Sequence, residues 1–205
     1  MLDATDATDT ADAARAARQL LLDLGAETLD HPGGTLLAHL ERVHRQLAHW
    51  NARPALRLAG LCHALYGTDG FAPALLPLDR RAQATAALGP EAESLVYFYA
   101  SCDRRASYPT LTGRSPCFRD RFTGRAFVPS RRRLEDFAEL TAANELDIAR
   151  VDSDFRARSG ADLLRLLTRL RPLLSPAARQ DCETVLGGAA GQPRTAPAPR
   201  PSPSP

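Results

Sequence analysis

Apolar residues recur at helical spacing through most of the chain between about residue 11 and residue 186. The clearest stripe consists of residues at i, i+4, i+7 and i+11, namely Leu36, Leu40, Val43 and Leu47. Thr35 stands just before this stripe, where its hydroxyl can cap a helix N-terminus. At about 100° per residue, His39 borders the apolar stripe whereas His49 points the opposite way. The pattern therefore predicts a helix over 36–50, with His39 facing inward and His49 facing solvent.

A second predicted helix follows a turn at residues 51–54. Pro54 suits the first helical position, and Gly67 can supply the C-terminal cap after about Tyr66. Apolar residues occupy two faces of this helix: Leu58, Leu61 and Leu65 on one, Leu56 and Ala59 on the other. His63 shares the second face. Because a helix with two apolar faces is buried on two sides, the sequence predicts that His63 is an interior imidazole.

The other predicted helices cover about 11–24, 79–88, 90–101, 133–150, 161–171 and 176–186. In the helix over 133–150, Asn144 lies on the apolar face, with Glu145 at its edge and Asp147 roughly opposite. We therefore expect Asn144 to point into the core and Asp147 to point to solvent. Only residues 103–132 show a strand-like or turn-rich pattern, so the predicted fold class is all-α, a helical bundle with one irregular segment.

Composition places these helices in one domain. A chain of 205 residues with 44% hydrophobic residues can form one ordinary hydrophobic core. Residues 1–10 have little to bury and 187–205 contain six prolines, so both ends are predicted to be disordered around a domain over 11–186. The four cysteines are scattered, the N-terminus lacks a signal-like pattern, and no apolar run reaches the length of a membrane span. These features predict a cytoplasmic protein with no membrane partner.

Three polar residues on the predicted helices face the same core. His39 and His63 lie on consecutive antiparallel helices, and Asn144 points inward from a helix far downstream. A single histidine beside an apolar stripe is more often a hydrogen-bonded core residue than a ligand. Two on adjacent helices make a functional site an equal alternative, so we predict that all three side chains approach one another.

The spacing of these residues resembles that of HD-domain proteins, the metal phosphohydrolase-like superfamily. Those proteins carry a first metal histidine, a His-Asp pair about two dozen residues later, and a final aspartate in an Ala-Asp-x-Leu helix. Here His39 precedes His63 by 24 residues, and Ala143-Asn144-Glu145-Leu146 stands where Ala-Asp-x-Leu would. The resemblance covers roughly residues 30–150 and implies an HD-like helical bundle.

The chain also departs from the HD pattern. Ala64 occupies the place of the paired aspartate, and Asn144 that of the final one. The segments His31-Pro-Gly-Gly-Thr and His63-Ala-Leu-Tyr-Gly-Thr are similar to an uncharacterised branch that shares these losses. The resemblance leaves two alternatives open. Either Glu145 or a carboxylate from elsewhere in the chain joins His39 and His63 around one divalent ion, Fe or Mn, or no metal is bound.

Two further residues are candidates beside His63. Tyr66 lies one helical turn after His63 and is predicted to be catalytic together with His39, His63 and Asn144. Thr68 follows in a Gly-Thr-Asp-Gly elbow, where its hydroxyl could bind substrate. An ordinary helix cap is the alternative interpretation of this elbow.

Positive charge is concentrated in residues 101–133, which hold nine arginines although the formal net charge of the whole chain is only +2. Arg104 and Arg105 closely follow the aromatic run that contains Tyr97, and these three residues are predicted to bind substrate. Arginine suits an anionic group. A solvated loop is the alternative interpretation of the arginines. Nucleic acid is not favoured as a partner, because no recognised binding motif accompanies them.

Two functions follow from these patterns. The first is an HD-like enzyme that acts on a small, anionic organic molecule, by histidine acid–base catalysis or through an atypical metal site. The second is a non-catalytic HD-like module that binds a small molecule or another protein. Retention of two core histidines favours the enzyme, because a buried imidazole without a partner costs about 1–3 kcal/mol.

Overall fold

The computed structural model describes residues 4–187, with side chains from residue 11 onwards. The predictions of disorder at residues 1–3 and 188–205 lie outside the described residues. Within residues 4–187 the fold is all-α, as predicted. The nine α-helices are α1 (Ala4–Asp23), α2 (Leu36–His49), α3 (Pro54–Cys62), α4 (Arg81–Leu88), α5 (Pro90–Ala100), α6 (Arg104–Ser107), α7 (Arg131–Val151), α8 (Ser153–Leu170) and α9 (Pro176–Leu186).

Three helix boundaries differ from the predicted ones. Helix α1 begins at Ala4, so it includes residues for which the sequence predicted disorder. Helix α3 ends at Cys62, and the chain then forms turns up to Tyr66. Helix α8 begins at Ser153 rather than at about 161, because the Asp152 side chain accepts a hydrogen bond from the Phe155 amide and caps the helix.

Two short strand pairs accompany the helices in the described residues. Strands β1 (Asp30–His31) and β2 (Gly34–Thr35) form a hairpin that the sequence did not predict. Strands β3 (Phe118–Arg119) and β4 (Ala126–Phe127) lie in the segment 103–132. That segment also contains the short helix α6, so its predicted irregular character is confirmed.

One continuous cluster of buried apolar side chains extends from α1 to α9. Helix α7 lies at its centre and contacts α2, α3, α5, α8 and α9. A helix on the surface of a domain buries one face and exposes the other, but all twelve residues 136–147 of α7 are buried. The prediction that Asp147 points to solvent is therefore wrong: its residue is only 5% exposed.

Helices α2 and α3 pack against each other at a distance that a glycine permits. A Cβ atom built at Gly60 would overlap the Leu47 side chain on α2. Because Gly60 has no side chain, α3 can approach α2 closely. This close packing brings the end of α3, and His63 after it, next to the middle of α2.

Candidate functional site

Three helices bring together the polar side chains that the sequence singled out. His39 on α2 and Asn144 on α7 are joined by a 3.0 Å contact between His39 Nε2 and Asn144 Oδ1. The rings of His39 and His63 lie edge to face, with centroids 5.3 Å apart. Both histidines are buried. The predicted convergence of His39, His63 and Asn144 is therefore confirmed.

Asp147 completes this group from the next turn of α7. Its Oδ2 lies 2.7 Å from His39 Nδ1. Arg42 donates from Nε to Oδ1 at 2.7 Å and from Nη2 to Oδ2 at 2.9 Å. Burial opposes the charge, but the hydrogen bonds from His39 and Arg42 outweigh it and keep the pKa of Asp147 below its ordinary value. We call His39, His63, Asn144 and Asp147 the histidine site.

Both ring nitrogens of His39 face oxygen atoms, Asp147 Oδ2 on one side and Asn144 Oδ1 on the other. Two proton arrangements satisfy these contacts. A doubly protonated His39 donates to both oxygens. Alternatively, a neutral His39 donates from Nδ1 to Asp147, and a reversed Asn144 amide donates to Nε2 but loses its hydrogen bond to Glu145. In either arrangement, neither nitrogen of His39 is left open.

His63 has a different hydrogen-bonding pattern. Its Nδ1 lies 2.8 Å from the Gly60 carbonyl oxygen, which requires the proton to be on Nδ1. Burial, followed by the charge of His39, lowers the pKa of His63 to about 3. His63 is therefore a neutral imidazole at pH 7, and its Nε2 carries a lone pair.

His31 in strand β1 is a neighbour that the sequence analysis missed. Its ring stacks on that of His39, with centroids 4.0 Å apart. Burial, followed by the charge of His39, lowers the pKa of His31 to about 4. Its Nδ1 is buried and has no hydrogen-bond partner within the described residues. The sequence feature that could have indicated His31 is its position in the His31-Pro-Gly-Gly-Thr segment, which carries part of the family resemblance.

Arg104 approaches the histidine site from α6. Its Nη1 donates to Glu145 Oε1 at 3.2 Å, and Asn144 Nδ2 donates to the same oxygen at 3.3 Å. The Arg104 side chain is about one quarter exposed, and it lies between solvent and the buried Glu145. Arg105 points to solvent. Of the two arginines predicted to bind substrate, only Arg104 therefore approaches the histidine site.

Two tyrosines lie near Arg104, and its guanidinium carbon is 5.9 Å from the centroid of the Tyr108 ring. Tyr99 on α5 and Tyr108 after α6 each have a buried hydroxyl without a hydrogen-bond partner within the described residues. The Tyr99 ring lies 5.5 Å from that of His63, centroid to centroid. Burial raises the pKa of both phenols, so they are neutral donors. We call Tyr99, Arg104 and Tyr108 the phenol subsite.

The structure places Tyr66 and Tyr97 away from the histidine site. The Tyr66 hydroxyl donates to Glu93 Oε1 at 2.9 Å, and Arg81 contacts both oxygens of Glu93, at 2.7 and 2.9 Å. The Tyr97 hydroxyl donates to Asp120 Oδ2 at 2.9 Å. We call Tyr66, Arg81, Glu93, Tyr97 and Asp120 the paired cluster. The sequence predicted that Tyr66 is catalytic beside His63 and that Tyr97 binds substrate. In the structure both hydroxyls are instead hydrogen-bonded within the paired cluster.

Thr68 is used inside its own turn. Its Oγ1 accepts hydrogen bonds from the Phe71 amide at 3.0 Å and the Gly70 amide at 3.3 Å. Gly70 lies against the guanidinium of Arg104: a Cβ atom there would be 3.1 Å from Nη1. The Asp69 side chain accepts from the Arg104 amide at 2.8 Å. The elbow therefore positions Arg104. It is a turn held by the Thr68 hydroxyl rather than the helix cap of the alternative interpretation, because α3 already ends at Cys62.

The donor set predicted for a metal is not assembled. Within the part of the chain whose side chains are described, no group of three or more His, Cys, Asp or Glu residues is arranged to hold a metal ion. Both nitrogens of His39 face hydrogen-bond partners, and Glu145 accepts from Arg104 and Asn144. His39, His63 and Glu145 as placed therefore do not fit a divalent ion.

Comparison with known proteins gives one match. Residues 20–104 match a family described as a domain of unknown function (DUF6817). The match covers less than half of the chain; it includes His39 and His63 and ends before α7. No curated protein and no solved structure is significantly similar to the chain. Among the described residues, no helix has the length and apolar character needed to cross a bilayer.

Proposed function

We propose that the chain is an HD-like enzyme that acts on a small, anionic organic molecule by histidine acid–base catalysis. The observation that carries this proposal is the pairing of two different imidazoles. His63 is neutral, with its Nδ1 proton held by the Gly60 carbonyl. His39 beside it is fixed by Asp147 and Asn144. One histidine is therefore available for proton transfer and the other is held in place.

His63 is the proton acceptor in this proposal. A substrate proton moves to the Nε2 lone pair, and the Gly60 carbonyl continues to accept from Nδ1, so it stabilises the imidazolium that forms. A pKa of about 3 makes His63 a weak base in the unliganded protein. A negative charge next to the ring raises the pKa of an imidazole. An anionic substrate would therefore activate the base that acts on it.

His39 and Asn144 are positioning residues. The Asp147 carboxylate fixes the His39 ring through Nδ1, and Arg42 holds the carboxylate in turn. His39 then orients the Asn144 amide, whose Nδ2 also reaches Glu145. A hydrogen-bonded chain therefore runs from Arg42 on the surface side to Glu145 beside the phenol subsite. Such a chain keeps the reacting groups in one geometry.

The HD relationship remains part of the proposal. It is supported by the placement of His39 on α2, His63 at the end of α3 and Asn144 on α7, in the order that the sequence resemblance requires. The carboxylate of the histidine site comes from Asp147, three residues after Asn144. It contacts the imidazole of His39 and the guanidinium of Arg42.

A non-catalytic module that binds the same molecule is the second candidate. The observation that favours it is the engagement of both nitrogens of His39, which leaves only His63 of the two histidines predicted to be catalytic. In this version the histidine site supplies only hydrogen bonds to a ligand. Binding without conversion distinguishes it from the enzyme.

The test is substrate depletion from a mixture of cellular metabolites, followed by mass spectrometry. The wild-type protein should consume at least one anionic metabolite. His63→Gln should lose this activity, while His49→Gln should retain it, because His49 is exposed. Equal depletion by His63→Gln would contradict the proposal. Loss of activity after dialysis against a chelator, with recovery on adding Fe or Mn, would establish the metal version instead.

A further inference from the structure

The phenol subsite contains donors that the histidine site does not use. Tyr99 is 3% exposed and its hydroxyl has no partner within the described residues. The Tyr108 hydroxyl is likewise buried and unpartnered there. Buried hydroxyl groups are nearly always hydrogen-bonded, so two unpartnered phenols in the neighbourhood of Arg104 need an explanation. A bound acceptor group would supply it.

The charges around Arg104 limit what this acceptor can be. Glu145 Oε1 lies 3.2 Å from Arg104 Nη1 and offsets part of the single positive charge. A phosphate dianion would face Glu145 with no second cation from the phenol subsite, and would be repelled. A carboxylate carries one negative charge and two planar oxygens. It can accept from the remaining guanidinium N–H groups and from two phenols.

We propose that the phenol subsite binds the carboxylate group of a small monocarboxylic acid. The inference rests on the proposed function, since it identifies the anionic group of the substrate. The Tyr99 ring is 5.5 Å from the His63 ring, so the bound carboxylate lies near the imidazole that it activates. Arg104, partly exposed beside Gly70, marks the side from which the acid enters.

The experiment is calorimetric titration with acetate, propionate and benzoate, and with inorganic phosphate, at constant ionic strength. At least one carboxylate should bind the wild-type protein, and more tightly than phosphate. Tyr99→Phe removes only the hydroxyl and should weaken binding about tenfold, because the lost hydrogen bond is to a charged group. Its melting temperature should not fall, because that hydroxyl has no partner among the described residues.

Tyr97→Phe is the matched control. The same atom is removed from a neighbouring tyrosine of α5, but here the hydroxyl donates to Asp120. Tyr97→Phe should lower the melting temperature and leave carboxylate affinity unchanged. The proposal is overturned if no carboxylate binds, if phosphate binds more tightly, or if Tyr99→Phe binds as tightly as wild type.

The failure of the subsite and the failure of the proposed function give different results. His63→Gln should still bind the carboxylate, although it should lose turnover. Carboxylate binding that depends on Tyr99, with turnover that does not depend on His63, would retain the subsite and reject acid–base catalysis. Turnover that depends on His63, with binding that does not depend on Tyr99, would retain acid–base catalysis and reject the subsite.

Discussion

The histidine site and the paired cluster are two groups of polar side chains that differ in how completely they and their neighbours are hydrogen-bonded. In the paired cluster, Glu93 accepts from Tyr66 and Arg81, and Tyr97 donates to Asp120. Around the histidine site, three polar atoms are buried without partners within the described residues: His31 Nδ1, Tyr99 Oη and Tyr108 Oη. Helix α5 contributes Glu93 and Tyr97 to the paired cluster and Tyr99 to the surroundings of His63, yet only in the paired cluster do these side chains all have partners.

The difference separates a structural network from a binding site. A fully satisfied polar network stabilises one arrangement of the core. A buried donor without a partner lowers stability, by about 1–3 kcal/mol. A region that keeps several such groups is therefore better suited to hold something else. By this criterion, changes in the paired cluster should affect folding alone, while changes around His63 should affect binding or chemistry.

The largest expected effect comes from the carboxylate of the histidine site. Asp147→Ala leaves the buried His39 Nδ1 without its partner and removes the carboxylate that pairs with Arg42. The free energy of unfolding should fall by about 3 kcal/mol, as for other broken buried ion pairs. Urea denaturation measures it. Asp154→Ala, at an exposed position in the first turn of α8, should lower it by less than about 1 kcal/mol. A loss below about 1 kcal/mol for Asp147→Ala would show that the network is not stabilising.

The paired cluster gives the second prediction. Tyr66→Phe removes the hydroxyl that donates to Glu93. The free energy of unfolding should fall by about 1.5–3 kcal/mol, because the lost hydrogen bond is to a charged group. Turnover per folded molecule should not change. A specific loss of turnover at full stability would restore the sequence-based prediction that Tyr66 is catalytic.

The pH dependence of stability gives the third prediction. The pKa of His63 falls from 6.5 in the unfolded chain to about 3 on folding, so between these values the unfolded state binds more protons. The contribution of His63 to the free energy of unfolding is therefore fully present above about pH 6.5. It is lost as the pH falls towards 3, with a slope of about 1.4 kcal/mol per pH unit for one proton. His63→Gln should flatten this slope in urea denaturations between about pH 5 and about pH 8. An unchanged slope would mean that other groups cause the acid sensitivity.

The smallest expected effect concerns Arg105, which the sequence paired with Arg104. Because Arg105 is exposed, Arg105→Gln should change the free energy of unfolding by less than about 0.5 kcal/mol and should not affect carboxylate affinity. The same titration and denaturation measure both quantities. A clear loss of affinity would place Arg105 in the subsite and extend it towards solvent.

The hydrophobic pattern was sufficient to predict most of the helices and the approach of His39 to His63. A short turn joins α2 to α3, and apolar spacing shows which sides of both helices face inward. The burial of Asp147 could not be read in this way. Periodicity describes one helix, whereas the burial of α7 depends on five helices that pack around it.

The predicted and observed site residues differ at Tyr66 and His31, and both differences have a local cause. Tyr66 was placed one helical turn after His63, but α3 ends at Cys62 and the intervening turns direct Tyr66 towards Glu93. His31 was missed because strands β1 and β2 have two residues each, too few for an alternating pattern to be visible.

The glycine at position 60 has a consequence for comparing sequences. Its missing side chain sets the distance between α2 and α3, and its carbonyl determines which nitrogen of His63 carries the proton. A larger residue there would move His63 away from His39 while every polar residue of the histidine site stayed unchanged. Two chains that share both histidines can therefore differ in whether they have the site at all, and the residue aligned with Gly60 is the one that distinguishes them.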